Sequence, residues 1–203
     1  MKVLGKILSI ILHPVWFPAA VIAYLIFVSS NPAVAIPLGK ELQYFFIVAY
    51  STILFPILIS FLLWKLGFIQ SMEMKTQKER YIPLISTMLF SFWVFWVYHQ
   101  SLDAPRWMQI FLLAVFLTSV STFMATIFKK ASIHMSGAFS VFIFALLLNL
   151  STAWQDLLLL LLAAILSIVV YLSRKGLKAH THAELLIGAI CGLVAQLIAF
   201  IIL

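Results

Sequence analysis

The chain has 203 residues, of which 65% are hydrophobic and only 9% are charged, and its formal net charge is +7. So few polar residues could not cover the surface of a water-soluble domain of this size, which excludes a soluble globular protein. In a membrane protein, an excess of positive charge relates to topology and to anionic lipid headgroups, so no nucleic-acid partner is expected.

Seven apolar runs long enough for transmembrane helices follow one another along the chain. They cover residues 7–29, 44–66, 81–98, 107–128, 136–152, 155–172 and 184–203. The first run contains Pro14 and Pro18, and the count falls to six if this run is re-entrant. We therefore predict an all-α, polytopic transmembrane helical bundle of six to seven spans, forming a single domain over residues 1–203.

Three of the links between these runs are rich in ionisable residues. They cover residues 73–83, 129–137 and 173–184, and two runs separate each link from the next. An even number of crossings returns the chain to the same side of the membrane. We therefore expect the three links to meet on one face of the bundle, which we call the motif face. Lysine and arginine beside helices are common topology signals, but that rule does not account for His134, His180 and Glu184 in these links.

His180 and Glu184 form the most informative pair in the third link. They are four residues apart and therefore lie on the same face of the helix that begins the last run. A carboxylate in that position can accept a hydrogen bond from one imidazole nitrogen and leave the other free as a nucleophile or base. His182 is two residues from Glu184 and points elsewhere, so His180 is the better candidate.

Polar residues with motif-like spacing occur in all three links. In chain order they are Lys75 and Arg80 in the first link, Lys130, Ser132 and His134 in the second, and Ser173, Arg174, His180 and Glu184 in the third. In the third link, five residues separate the arginine from the histidine, and three separate the histidine from the acid. In the second link, a single residue separates the serine from the histidine.

These spacings resemble the motifs of the type 2 phosphatidic acid phosphatase family, which comprises lipid phosphate phosphatases and metal-independent acid phosphatases. The family pattern is Lys-x6-Arg-Pro, then Pro-Ser-Gly-His, then Ser-Arg-x5-His-x3-Asp. The third motif matches here with Glu184 in place of Asp, and the second matches at its serine and histidine. The first matches least, because four residues separate Lys75 from Arg80. The resemblance covers the motif-bearing region, residues 73–188.

The resemblance implies a role for each of these residues. His180 would attack phosphorus and form a phosphohistidine, Glu184 would orient His180, and His134 would protonate the leaving group. The side chains implied in binding the phosphoryl oxygens are Arg174, Arg80, Ser132, Lys75 and Lys130. Arginine presents a planar fork of donors that matches phosphoryl oxygens, so no metal or other cofactor is required. The implied enzyme is a lipid phosphatase that hydrolyses a phosphomonoester or pyrophosphate, with phosphatidic acid, phosphatidylglycerol phosphate and polyprenyl (pyro)phosphate as candidate substrates.

Two other classes of function fit some of the same residues. A zinc site could use His134, His180, His182 and Glu184. However, His-x-His-x-Glu places ligands two residues apart, which a continuous helix cannot direct at one ion. The other alternative is a non-catalytic lipid-binding transporter or scaffold whose basic motif face binds the headgroups of membrane lipids.

The charge distribution predicts the side of the membrane on which the motif face lies. Of the 13 lysines and arginines, only Lys40 and Arg106 fall on the opposite face. The positive-inside rule therefore places the motif face of this multi-pass cell-membrane protein in the cytoplasm, although the resembled family commonly works on the extracytoplasmic side. Gly188 and Gly192, four residues apart, favour close helix packing or a homo-oligomer contact.

Overall fold

The computed structural model describes residues 10–72, 74, 76, 78–100 and 102–203, and the regular structure in this part of the chain is helical throughout. Its seven α-helices are α1 Phe17–Phe27, α2 Glu41–Lys65, α3 Tyr81–Gln100, α4 Arg106–Phe128, α5 Ile133–Ser151, α6 Leu157–Gly176 and α7 His182–Ile202. Short 3-10 turns precede α1 and α3, and a π-helical segment, Tyr50–Leu54, interrupts α2 just before Pro56. The all-α bundle predicted from the apolar runs is confirmed.

Six of the described helices, α2 to α7, are long and apolar enough to cross a membrane. The first apolar run differs from its prediction, because it is not one continuous helix over residues 7–29. Residues 7–9 lie outside the described part of the chain, and the apolar helical stretch Pro14–Phe27 has fewer than 18 residues. The helix breaks at His13, whose backbone is extended (φ −71°, ψ 131°), because the ring of a following proline disfavours the helical conformation.

Although α1 is short, its segment joins both faces of the bundle. At one end, the His13 ring lies 5.1 Å from the ring of His134 in the second polar link. At the other end, the Ser29 hydroxyl donates to Asp156 (2.6 Å) at the start of α6, and the Tyr24 hydroxyl also donates to this carboxylate. The segment therefore runs through the bundle from the motif face to the opposite face and does not turn back.

The packing of α7 against α5 positions the beginnings of both helices. A Cβ atom added at Gly188 would lie 2.5 Å from the Ser132 carbonyl oxygen, and one added at Gly192 would lie 2.3 Å from that of Ser136. Close helix packing at these two glycines is therefore confirmed within the chain, and homo-oligomerisation stays a prediction. Because α5 begins beside Ser132 and α7 begins beside Glu184, this contact brings the second and third polar links together.

Candidate active site

The corner between α6 and α7 is built from two helix caps. At the end of α6, the Lys178 amide donates to the Lys175 carbonyl (3.0 Å) and the Ala179 amide donates to the Arg174 carbonyl (3.1 Å). These two bonds, with Lys178 in the left-handed region (φ 52°), form a Schellman motif that reverses the chain. The reversal brings His180 into the corner directly after the last turn of α6, which contains Arg174.

The start of α7 is a capping box. The Thr181 hydroxyl accepts a hydrogen bond from the Glu184 amide (3.3 Å), and Glu184 Oε2 accepts one from the Thr181 amide (3.1 Å). The same Oε2 lies 3.0 Å from Nδ1 of His180. The Thr-x-x-Glu pattern in the sequence is the signal that predicts this cap, in addition to the four-residue spacing of His180 and Glu184. Glutamate at position 184 therefore serves both as a helix cap and as the partner of His180.

The protonation state of His180 follows from this geometry. A carboxylate only accepts hydrogen bonds, so Nδ1 carries the hydrogen and Nε2 keeps its lone pair. His180 is buried, with 8% of its surface exposed. Burial lowers the pKa of His180 to about 4, the hydrogen bond to Glu184 opposes that shift, and the nearby Lys130, Arg80 and Arg174 lower the pKa further. His180 is therefore neutral at physiological pH, as a nucleophilic imidazole must be.

Those three cations come from three separate parts of the chain. Arg80, from the first polar link, is buried, and its Nε donates to the Met74 carbonyl (2.9 Å). Lys130, from the second link, donates to the Ala179 carbonyl (3.4 Å), and Arg174 lies in the last turn of α6. All three act electrostatically on His180, so the predicted meeting of the three links on one face is observed. The remaining predicted cation, Lys75, lies outside the described residues.

The second link contributes the start of α5. Ser132 is fully buried and caps this helix, because its hydroxyl accepts a hydrogen bond from the Met135 amide (3.4 Å). Its own amide donates to the Glu184 carbonyl (3.2 Å), which joins the second link directly to the third. His134 follows in the first turn of α5.

His13 also belongs to this cluster, although it lies outside the three polar links that the sequence predicts to form the site. It precedes α1 in sequence by only a few residues, yet its ring is in edge contact with the ring of His134. Burial, and secondarily the charge of Arg174, lowers the pKa of His13 to about 4. His13 nevertheless has a large accessible surface, and it lines a cavity inside the bundle. A contact between residues 121 positions apart leaves no signal in a single sequence.

This cavity lies among α1 to α5 and has a volume of about 400 Å³. Its walls are mainly apolar, and His13 and Arg80 line its end at the motif face. Along α3 its lining runs from the turn at Arg80 to Ser91, which at 1.5 Å per residue is a depth of about 16 Å. The cavity is therefore large enough for part of a small ligand and reaches deep into the bundle.

A second pocket, of about 470 Å³, lies at the corner between α6 and α7. It is lined by Lys130, Lys175, Lys178, Ala179, His180, Thr181, His182 and Glu184. His182 is at its edge and does not join the His180 pair, because its Nδ1 lies 3.0 Å from the Tyr171 hydroxyl. The prediction that His182 points away from Glu184 is therefore confirmed.

The architecture is that of an all-α, multi-pass membrane protein with a polar cluster at one end of the bundle. Comparisons of the chain with protein-family models, with curated proteins and with solved structures return no match. Among the described residues, no three histidine, cysteine, aspartate or glutamate side chains are grouped so that they could hold a metal ion. The function is therefore inferred from the chemistry of the cluster and from the motif resemblance.

Proposed function

We propose that this protein is a membrane-embedded lipid phosphate phosphatase that works through a phosphohistidine intermediate. The observation that carries the proposal is a neutral, buried His180 on which three cations act, one of which, Arg80, also lines a deep apolar cavity. Phosphoryl transfer requires an in-line nucleophile and positive charge around the phosphoryl oxygens, and this cluster supplies both. The cavity supplies an apolar space for part of a hydrocarbon chain, with Arg80 at the end nearest the cluster.

In this proposal, Nε2 of His180 attacks phosphorus, and the bond between phosphorus and the lipid oxygen breaks. The electron pair of that bond goes to the lipid oxygen, which takes a proton from His134. Arg80, Arg174 and Lys130 bind the phosphoryl oxygens, and the buried Ser132 acts by capping α5. Lys75, which lies outside the described residues, stays a predicted phosphate ligand. Water then attacks the phosphohistidine and gives a proton to His134; the bond between phosphorus and Nε2 breaks, which releases inorganic phosphate and restores the neutral imidazole.

We expect the purified protein to release phosphate from a lipid phosphate in the presence of EDTA. Arginine and lysine side chains supply the positive charge that metal ions supply in other phosphatases, so a chelator should leave the rate unchanged. The measurement is phosphate release from phosphatidic acid, phosphatidylglycerol phosphate and a polyprenyl diphosphate, each with and without EDTA. Activity that disappears with EDTA and returns with Zn²⁺ would favour the metal alternative.

The pH dependence provides a second expected result. His180 attacks in its neutral form, and its pKa is lowered to about 4, so activity should persist below pH 6.5 and fall as the pH drops through about 4. Lys130 contributes to that lowering, so Lys130→Gln should move the acid limb of the kcat/KM profile to higher pH. Ionisation of the substrate affects both proteins equally and cancels in the comparison. Acid limbs at the same pH would contradict the assignment of His180.

A non-catalytic lipid-binding transporter or scaffold is the alternative function, and the cavity is the observation that favours it. An apolar space that ends beside Arg80 and His13 could hold a lipid phosphate without any reaction. Binding of radiolabelled phosphatidic acid to the purified protein, with no phosphate released from any lipid in the panel, would support this alternative.

We also propose that the motif face lies on the cytoplasmic side of the cell membrane, because nearly all lysines and arginines fall on that face. The test uses single cysteines at Lys78 and Asp103 in a Cys191→Ser background, since Cys191 is the only native cysteine. In intact cells, a membrane-impermeant maleimide should label position 103 and not position 78. The reverse labelling pattern would place the motif face outside the cell.

A further inference from the structure

The positive charge that acts on His180, which lines the pocket at the corner between α6 and α7, exceeds what one phosphoryl group needs. Arg80, Arg174 and Lys130 supply three positive charges, and the Glu184 carboxylate removes one, which leaves +2. That balance already matches a phosphomonoester, which carries about −1.5 to −2 at neutral pH. Lys175 and Lys178 also line this pocket and add two further positive charges beside His180.

Lys178 occupies a backbone position that glycine would occupy with less strain. Its φ of 52° is the left-handed conformation of the Schellman motif, a position that usually holds glycine because a Cβ atom is strained there. Strained backbone that persists at a site is a reason to look for a function of the side chain. Lys175, one turn earlier, lines the same pocket, and its ammonium group lies 5.6 Å from the centre of the Tyr171 ring.

We propose that this pocket binds a second phosphoryl group, so that the preferred substrate is a lipid whose headgroup carries two phosphoryl groups. The inference rests on the proposed function and narrows its substrate class. In a diphosphate, His180 attacks the terminal phosphorus and the bond from that phosphorus to the bridging oxygen breaks. The electron pair stays on the bridging oxygen, and the lipid leaves as a monophosphate. Water then releases the terminal group from His180 as inorganic phosphate.

The first test measures binding and needs no turnover. Calorimetry on the purified full-length protein compares inorganic pyrophosphate with inorganic phosphate. Wild type should bind pyrophosphate at least about tenfold more tightly, since the additional negative charge meets cations that phosphate leaves unneutralised. In a Lys175→Gln/Lys178→Gly variant the two affinities should become similar. Glycine removes the charge at position 178 and also relieves the backbone strain, so loss of folding is not expected.

The matched control is Lys65→Gln/Lys129→Gln, which removes the same charge from the motif face at positions that do not line the pocket. This control should keep the preference for pyrophosphate. A lysine near a helix C-terminus also stabilises the helix dipole, but that role would change the melting temperature and not the ratio of the two affinities. Equal affinities in wild type, or a preference that survives in the pocket variant, would overturn the proposal.

The second test identifies the source of the second phosphoryl group. Phosphate release is compared between a prenyl diphosphate and its monophosphate, and between phosphatidylglycerol phosphate and phosphatidic acid with the same acyl chains. A higher kcat/KM for the first member of either pair supports the proposal that the pocket binds a second phosphoryl group, and it identifies the type of substrate. Equal kcat/KM values within both pairs would contradict the proposal. If no lipid is hydrolysed, the proposed function fails, and the calorimetry still decides whether the pocket prefers two phosphoryl groups.

Discussion

Replacing His180 by alanine should abolish phosphate release, whereas replacing His182 by alanine should leave most of it. In the proposed mechanism, the lone pair of His180 forms the covalent intermediate; the structure shows that His180 is hydrogen-bonded to Glu184 and that three cations act on it. His182 lies beside Tyr171 and has no part in that pair. Loss of a covalent nucleophile commonly lowers kcat by about 10⁴-fold or more, far beyond the effect expected for a neighbouring histidine.

The measurement is kcat for phosphate release from the best lipid in the panel, with the melting temperature of each variant as a check on folding. The two substitutions are chemically identical and two residues apart, so a general effect on the corner should appear in both. Equal activity in wild type and His180→Ala would rule out the catalytic assignment and favour the lipid-binding alternative. Equal losses in the two variants would show that His180 has no special role.

The second large effect is expected at Gly192, where alanine should destabilise the protein although it is the better helix former. The added Cβ would lie 2.3 Å from the Ser136 carbonyl oxygen and 2.8 Å from the Ser140 amide nitrogen. Both are backbone atoms of α5, so the two helices must move apart. Such overpacking costs about 1–3 kcal/mol, and here it also separates the parts of the site on α5 and α7.

The control is the same substitution at Gly176, where an added Cβ atom meets nothing within 4 Å. Gly176→Ala should leave the melting temperature unchanged or raise it, because glycine costs about 0.5–1 kcal/mol relative to alanine within a helix. In thermal unfolding of the detergent-solubilised protein, Gly192→Ala should therefore lower the melting temperature and Gly176→Ala should not. A Gly192→Ala protein as stable and active as wild type would mean that α5 and α7 are not in this close contact.

Several features of the site were predictable because they depend on local spacing or on the number of membrane crossings between the polar links. The apolar runs marked six helices to within a few residues, because each must cover the thickness of a membrane with apolar side chains. The even number of runs between the polar links was enough to place Arg80, Lys130 and Arg174 on one face. The four-residue separation of His180 and Glu184 corresponds to one helical turn, and their side chains are in contact.

Two further features, the helix break at His13 and the capping box at Thr181, could also have been predicted from the sequence. Pro14, within the first apolar run, disfavours the helical conformation at the residue before it, and His13 is extended as that rule predicts. Thr181, three residues before Glu184, likewise indicates the capping box in which Glu184 takes part.

The sequence by itself determined the all-α membrane architecture, the common face of the three polar links and the pairing of His180 with Glu184, because each follows from local periodicity or from the parity of crossings. Only the tertiary structure decided that His180 is buried and neutral, that His13 touches His134, and that a cavity extends from Arg80 into the bundle. Burial, pKa and cavity shape are sums over atoms from segments far apart in the chain. A short stretch of sequence therefore does not predict burial, pKa or cavity shape.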